Sequence, residues 1–244
     1  MNTYKSSVEI RGLAREHMFG HYGTAIGASV IVSMITGFAS LFFTMFLNLA
    51  TVVGVILNFL ISFVISTLNG LFLSGLGYFY LKICCGRPVT VSDVFYGFKL
   101  FPDKALRIQL YRSVWLFLGM LPMTIFSFLL RIYPQNAALT LLYYLSYILY
   151  GVVWVMISLI YSQVFFLLHD FPNYSAKELL SMSRKLMKGS KGRLFYLMAG
   201  FIPLMLLGLL SCGIAFFWLI PYINTACAEF FLDLIQNRQQ IKKA

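Results

Sequence analysis

The chain has 244 residues, of which 60% are apolar before its 18 glycines are counted and 11% are charged. A soluble domain carries roughly 45–50% apolar residues with glycine included and about 25% charged ones. This chain cannot bury so much apolar surface and still present a wettable exterior, which excludes a soluble enzyme, a secreted disulfide scaffold and a disordered tail; its solvent is a bilayer. The formal charge of +11 falls in short basic runs between apolar blocks. Membrane topology explains that pattern, and no nucleic-acid partner is expected.

The first 21 residues are polar and mixed in charge, with no cleavable signal pattern. From there to Lys82 runs a stretch of 60 residues without Asp, Glu, Lys or Arg. One span needs about 20 residues, so this stretch is two helices, near 23–47 and 54–81, turning around Asn48 to Val53. A third span fits Ser113 to Leu130. The uncharged stretch from Ile132 to Leu168 is too long for one upright helix, and its first part holds Tyr133, Tyr143, Tyr144 and Tyr147, residues favoured at the membrane–water interface. The fourth span is therefore placed at about 148–168. Leu194 to Ala228 is uncharged again, with a tight turn at Ser211-Cys212-Gly213, giving spans five and six near 194–211 and 213–234.

Six spans put both termini on one side. Of the 19 Lys and Arg, 18 fall on that side and Arg131 alone on the other. The positive-inside rule then predicts cytoplasmic termini in the plasma membrane. Cys84, Cys85, Cys212 and Cys227 form no Cys-x-x-Cys or Cys/His cluster and are read as unpaired thiols.

A shift of 169 residues aligns 6–23 with 175–192 and pairs Ser6/Ser175, Glu9/Glu178, Arg15/Arg184, Met18/Met187, Gly20/Gly189 and Gly23/Gly192. Ser-x-x-Glu at each start is a capping box for a helix N-terminus, and Thr90-Val91-Ser92-Asp93 is a related start. A shift of 81 residues pairs Arg112/Arg193, Gly119/Gly200 and Pro122/Pro203. The chain reads as three units, near 6–89, 90–174 and 175–244, each a short cytoplasmic amphipathic helix followed by a helical hairpin. In 176–187, Leu179, Leu180, Met182, Leu186 and Met187 gather on one side. That helix either lies in the inner interface with its cations near anionic headgroups or packs beneath the bundle.

The run Leu168-His169-Asp170-Phe171-Pro172, then Ser175-Ala176-Lys177-Glu178-Leu179-Leu180, Ser183, Leu186-Met187-Lys188-Gly189 and Lys191-Gly192-Arg193-Leu194-Phe195, carries a family signature. So do Cys212-Gly213-Ile214, Trp218-Leu219-Ile220-Pro221-Tyr222, Ala228-Glu229-Phe230-Phe231 and Leu13-Ala14-Arg15-Glu16. The chain resembles the uncharacterised bacterial membrane family catalogued as domain of unknown function 975. That resemblance implies fold and location and no activity. It also leads one to expect Ile-Pro-Gly in span four, where this chain has Ile157-Ser158-Leu159, which leaves a helix break there without its usual residues.

No His-Glu-x-x-His, Walker, Gly-x-Ser-x-Gly or dinucleotide motif is present. His17 and His21, four apart, read as an interfacial pair near Glu16, and His169-Asp170 as a helix-end cap or headgroup contact. Neither metal nor cofactor is expected. Two polar stripes lie in the spans: Asn58, Ser62, Ser66 and Asn69 in span two, and Ser29, Ser33, Gly37, Ser40 and Thr44 in span one. They either pack together as hydrogen-bonded glue, the preferred reading, or line a groove for a solute or lipid headgroup. In span six, Glu229 is expected one turn inside the cytoplasmic boundary, paired with Arg112 or Arg193, as a static ion pair rather than a coupling site.

The expected fold is all-α: a single integral membrane domain over 1–244, a six-span bundle of three hairpins. The preferred function is non-enzymatic: scaffolding, protecting or regulating a membrane partner. The alternative is a transporter or lipid-handling protein. Expected partners are membrane lipids, with anionic headgroups at the cytoplasmic face, and a membrane protein or a second copy of the chain.

Overall fold

The computed structural model describes residues 4–47, 49 and 51–243, with side chains through residue 237. Within these residues the chain is all-helical, and six helical segments are long and apolar enough to cross a membrane: Tyr22–Met45, Val52–Cys84, Pro102–Ile132, Ala137–Asp170, Lys191–Leu210 and Phe216–Asn237. In chain order the elements are α1 (Ser7–Met18), α2 (Tyr22–Met45), α3 (Val52–Cys84), a 3-10 turn (Val91–Phe95), α4 (Tyr96–Lys99), α5 (Pro102–Ile132), α6 (Ala137–Ile160), α7 (Val164–Asp170), α8 (Ala176–Met187), α9 (Lys191–Ala199), α10 (Ile202–Leu210) and α11 (Phe216–Lys243). Asn48 and Ala50, in the turn expected between the first two spans, lie outside the described residues.

Two spans start earlier than the hydropathy pattern puts them. Helix α5 begins at Pro102, because Ala105, Ile108, Gln109 and Ser113 on its first turns are buried in the base of the molecule and hold a basic stretch in helical form. Helix α6 begins at Ala137, and of the tyrosines read as interfacial Tyr143, Tyr144 and Tyr147 stand on it, while Tyr133 caps the end of α5. Its start is fixed by Asn136, whose side chain accepts the Leu139 N–H at 3.1 Å.

The three start signals form as their side chains dictate. Ser6 and Ser175 each accept the backbone N–H of the glutamate three residues on, and that glutamate accepts from the serine N–H. Thr90 and Asp93 close the same reciprocal box ahead of the 3-10 turn.

Buried side chains concentrate at the end of the bundle where these capped segments lie. They come from α1, from α3 beyond Gly70, from the first turns of α5, from α7 and α8, and from α11 around Phe230 and Leu234. The rest of the long helices exposes large apolar residues, among them Phe38, Phe42, Leu60, Trp115, Leu118, Leu145, Ile148 and Leu206. The molecule thus has a folded base and an open apolar outer half. At 1.5 Å per residue the 33 residues of α3 run about 50 Å, well beyond a hydrocarbon core of about 30 Å.

The base is interlocked. Helix α1 packs on α11 and α9, the 3-10 turn packs on α3 and α2, α4 packs on α3, and α8 packs on α5, α6 and α7. The crossing of the 3-10 turn and α4 with α3 is backbone against backbone. A Cβ on Gly75 would overlap the Val94 carbonyl, and one on Gly97 would overlap the Leu71 carbonyl.

Two spans are broken, and at each break a hydrogen bond from a capped helix reaches a backbone carbonyl. Span four breaks at Tyr161–Gln163 although Ile-Pro-Gly is absent. Ser183 of α8 donates to the Ile160 carbonyl at 2.9 Å, and Arg184 donates to the Tyr161 hydroxyl at 2.7 Å. Span five breaks at Gly200-Phe201, just before Pro203, which cannot donate to the helix. Arg11 of α1 donates to the Gly200 carbonyl at 2.8 Å.

Candidate functional site

The polar chemistry of the base gathers where α1, α3, α9 and α11 meet. Glu229 and Asp233, one turn apart on α11, are 4% and 2% exposed. Among the described residues Glu229 pairs with no arginine. Its Oε1 lies 2.7 Å from His17 Nδ1 on α1, with the His17 side chain 35% exposed. Arg193 pairs with Asp233 instead, Nη2 to Oδ2 at 2.8 Å. The physical reason is register: α9 begins low enough to meet α11 one turn beyond Glu229, and the last turn of α1 lies across Glu229 itself.

Asp233 is saturated. Besides Arg193 it accepts from the Lys5 backbone N–H at 3.2 Å and from Asn237 Nδ2 at 3.0 Å. Arg193 also donates to the Lys5 carbonyl at 2.9 Å and stacks 4.2 Å from the Tyr4 ring centroid. This network ties the segment before α1 to the foot of α11.

Cys84, the last residue of α3, is buried beside the His17–Glu229 pair and donates weakly to the Thr225 carbonyl at 3.8 Å. The imidazole nitrogen, the thiol sulfur and a carboxylate oxygen of His17, Cys84 and Glu229 all lie within 4.8 Å of one another. His21 does not belong here. Helix α1 ends at Met18, so His21 is the residue before α2 and shares no helix face with His17.

Arg112 finds no carboxylate among the described residues. It donates to Gln109 Oε1 at 3.2 Å and lies 5.7 Å from the Phe165 ring centroid. Its Nε is buried without a partner, as are Asn69 Oδ1, Gln163 Oε1 and Arg193 Nη1. Gln163, at the break in span four, carries no sequence signal beyond being an uncharged amide in an apolar run.

Among the described residues no hydrogen bond joins the two polar stripes directly. Ser66 of α3 bonds Ser113 of α5 at 3.1 Å, and a Cβ on Gly70, one turn further on, would collide with Gln109 of α5. Of that stripe, Ser66 is therefore turned toward α5. On α2, Ser29 bonds the Tyr80 hydroxyl at 3.0 Å, and Ser33 lines a cleft of about 370 Å³ with Met34, Gly213, Phe216, Phe217 and Ile220. Ser40 and Thr44 donate to carbonyls of their own helix, at Thr36 and Ser40. Outward of Ser33 most α2 side chains are exposed, and its hydroxyls find partners on their own helix. A second cleft of about 380 Å³, between α3 and α5, is lined by Ile56, Phe59, Leu121, Ile125 and neighbouring apolar residues.

His169 turns inward. Its Nε2 lies 2.7 Å from the Ser74 carbonyl and its ring 5.3 Å from Tyr78, so it docks α7 on α3. Asp93 is held by Lys82 at 2.8 Å as well as by its capping role.

No curated protein and no solved structure matches the chain. A family model does, the one described as Protein of unknown function (DUF975), over residues 1–238. With a six-helix membrane architecture on the page and the match running nearly end to end, the chain belongs to that family.

Proposed function

We propose that this is a non-enzymatic protein of the plasma membrane that scaffolds, protects or regulates a membrane partner. Both termini and the folded base are in the cytoplasm, and the outer half is available to other membrane molecules. The observation that carries this reading is the division of labour between the two halves. At the base, Asp233 and Asp93 are engaged in clamps between elements, a structural use of charge. Above the base, exposed Trp115, Leu118, Tyr144, Leu145, Ile148 and Trp154 give the α5–α6 hairpin an aromatic-rich apolar surface. Aromatic residues are enriched at interfaces between proteins.

The repeat reading supports the same architecture. Taken as units near 6–89, 90–174 and 175–244, each unit's capped segment sits under the hairpin of another unit: the first under the third, the second under the first, the third under the second. Three duplicated hairpins joined this way make a stable platform. Anionic headgroups are expected against the basic rim of that platform, and a membrane protein or a second copy against its outer face.

Purification in native lipid, with identification of what co-purifies, tests the proposal. A stoichiometric membrane protein that is lost when Leu145 and Ile148 are replaced by Ala supports it. Recovery of the chain alone, unaffected in cells by those changes, contradicts it.

One observation favours a second reading, transport or lipid handling. Asn69, Arg112, Gln163 and Arg193 each keep a buried polar atom without a protein partner; Arg193 belongs to a structural clamp, but at Asn69, within the α3 stripe, pure helix glue would have satisfied it. Asn69→Leu separates the two. Glue predicts a modest loss of stability, about 0.6 kcal/mol, with any bound lipid retained; a groove predicts normal stability and a lost lipid.

A further inference from the structure

We infer that His17, Cys84 and Glu229 form a binding site for a zinc-class divalent metal ion, pinning α1 to α3 and α11. The three side chains come from three elements far apart in the sequence, and their ligand atoms lie within 4.8 Å of one another. Tetrahedral zinc, with bonds of roughly 2.0–2.3 Å, places its ligand atoms about 3.3–3.6 Å apart. The His17–Glu229 contact of 2.7 Å therefore opens by about half an ångström, and the sulfur moves in. Side-chain rotation alone supplies such shifts.

The donor set decides the metal. A thiolate, an imidazole and a carboxylate are the ligands of zinc; magnesium and calcium demand oxygen. The charges also match. A buried carboxylate beside a thiolate is unfavourable alone, and a divalent cation compensates both. Cys84 has little to lose, since its hydrogen bond to the Thr225 carbonyl is 3.8 Å long. Glu229 and Cys84 are buried while His17 is 35% exposed, so the site opens on the His17 side. That leaves a route for the ion and a fourth position for water. Sequence spacing could not reveal the cluster, because no two of its ligands are neighbours in the chain.

The test uses the full-length protein, purified in detergent and stripped with a chelator, then titrated with Zn²⁺ and with Co²⁺ as its spectroscopic stand-in. One ion per chain is expected. Co²⁺ is expected to show the visible bands of a tetrahedral site and a thiolate charge-transfer band in the near ultraviolet. Cys84→Ser abolishes the charge-transfer band, and both it and His17→Gln weaken Zn²⁺ binding by more than about a hundredfold, since even outer-shell losses cost 10–100-fold. Cys85→Ser, which changes the exposed thiol next door, binds as the parent does. His17 is half-exposed, so His17→Gln remains informative if Cys84→Ser fails to fold. Substoichiometric binding by the parent, or parental affinity in His17→Gln, overturns the assignment and leaves a plain His–Glu hydrogen bond.

Discussion

Asp233 and Glu229 show how far one residue's surroundings decide its worth. Asp233 holds Arg193, Asn237 and the Lys5 backbone together. Removing one partner of a buried pair costs about 3–5 kcal/mol. With the Arg193 side chain 28% exposed, Asp233→Asn is expected to cost about 2–3 kcal/mol after screening. The double variant Arg193→Met/Asp233→Leu should recover part of that, and thermal melts in detergent check both. An Asp233→Asn variant as stable as the parent would show the network to be idle. The capping boxes give a pH signature. Hydrogen bonds from the backbone N–H and then the hydroxyl of Ser6 and Ser175 hold the Glu9 and Glu178 carboxyls below their ordinary value of 4.5. A depressed carboxyl adds stability that is present above its ordinary value and lost as pH falls through the folded one. The melting midpoint is therefore expected to fall below about pH 4.5, and less steeply in the double variant Ser6→Ala/Ser175→Ala. The cap residues were legible in the sequence because a capping box is written within four positions. The partner of Glu229 was not: His17 lies 212 residues away, and only the docking of α1 across α11 decides that it, rather than an arginine, reaches the carboxylate.

At the scale of elements, the six long helices follow from runs of uncharged apolar residues, and their number is readable from lengths alone. Their starts are less readable. Helix α5 carries exposed Arg107 and, on its buried side beside Ala105 and Ile108, Arg112, and hydropathy averages those faces together. The breaks in spans four and five are tertiary features as well. One has Pro203 beside it; the other has no proline and is held by Ser183 and Arg184 from α8. Ser183→Ala leaves the Ile160 carbonyl without that donor and is expected to cost about 1–3 kcal/mol. The tightest constraint is the crossing of α3 with the 3-10 turn and α4. Gly75→Ala or Gly97→Ala forces a methyl onto a backbone carbonyl that cannot rotate away, and each should cost more than about 3 kcal/mol, beyond ordinary overpacking. Gly151→Ala, with open space around the added carbon, is the matched control and should leave the melt unchanged or raise it slightly.

The whole molecule divides into a base that folds like a soluble core and an outer half built for lipid. Basic residues follow the same division: of the 16 Lys and Arg whose side chains are described, 15 belong to the base side and Arg131 stands opposite, where it donates to the Leu49 carbonyl. The proposed orientation places that base in the cytoplasm with six crossings above it. Two native cysteines report on both points without altering the fold, because Cys85 at the base and Cys212 in the turn between α10 and α11 are exposed, whereas Cys84 is buried. A membrane-impermeant maleimide applied to intact cells is expected to label Cys212, and Gln135→Cys in the turn between α5 and α6, while Cys85 reacts only after the membrane is opened. Labelling of Cys85 from outside, with Cys212 protected until permeabilisation, would contradict the orientation; labelling of both from the same side would contradict the six crossings themselves.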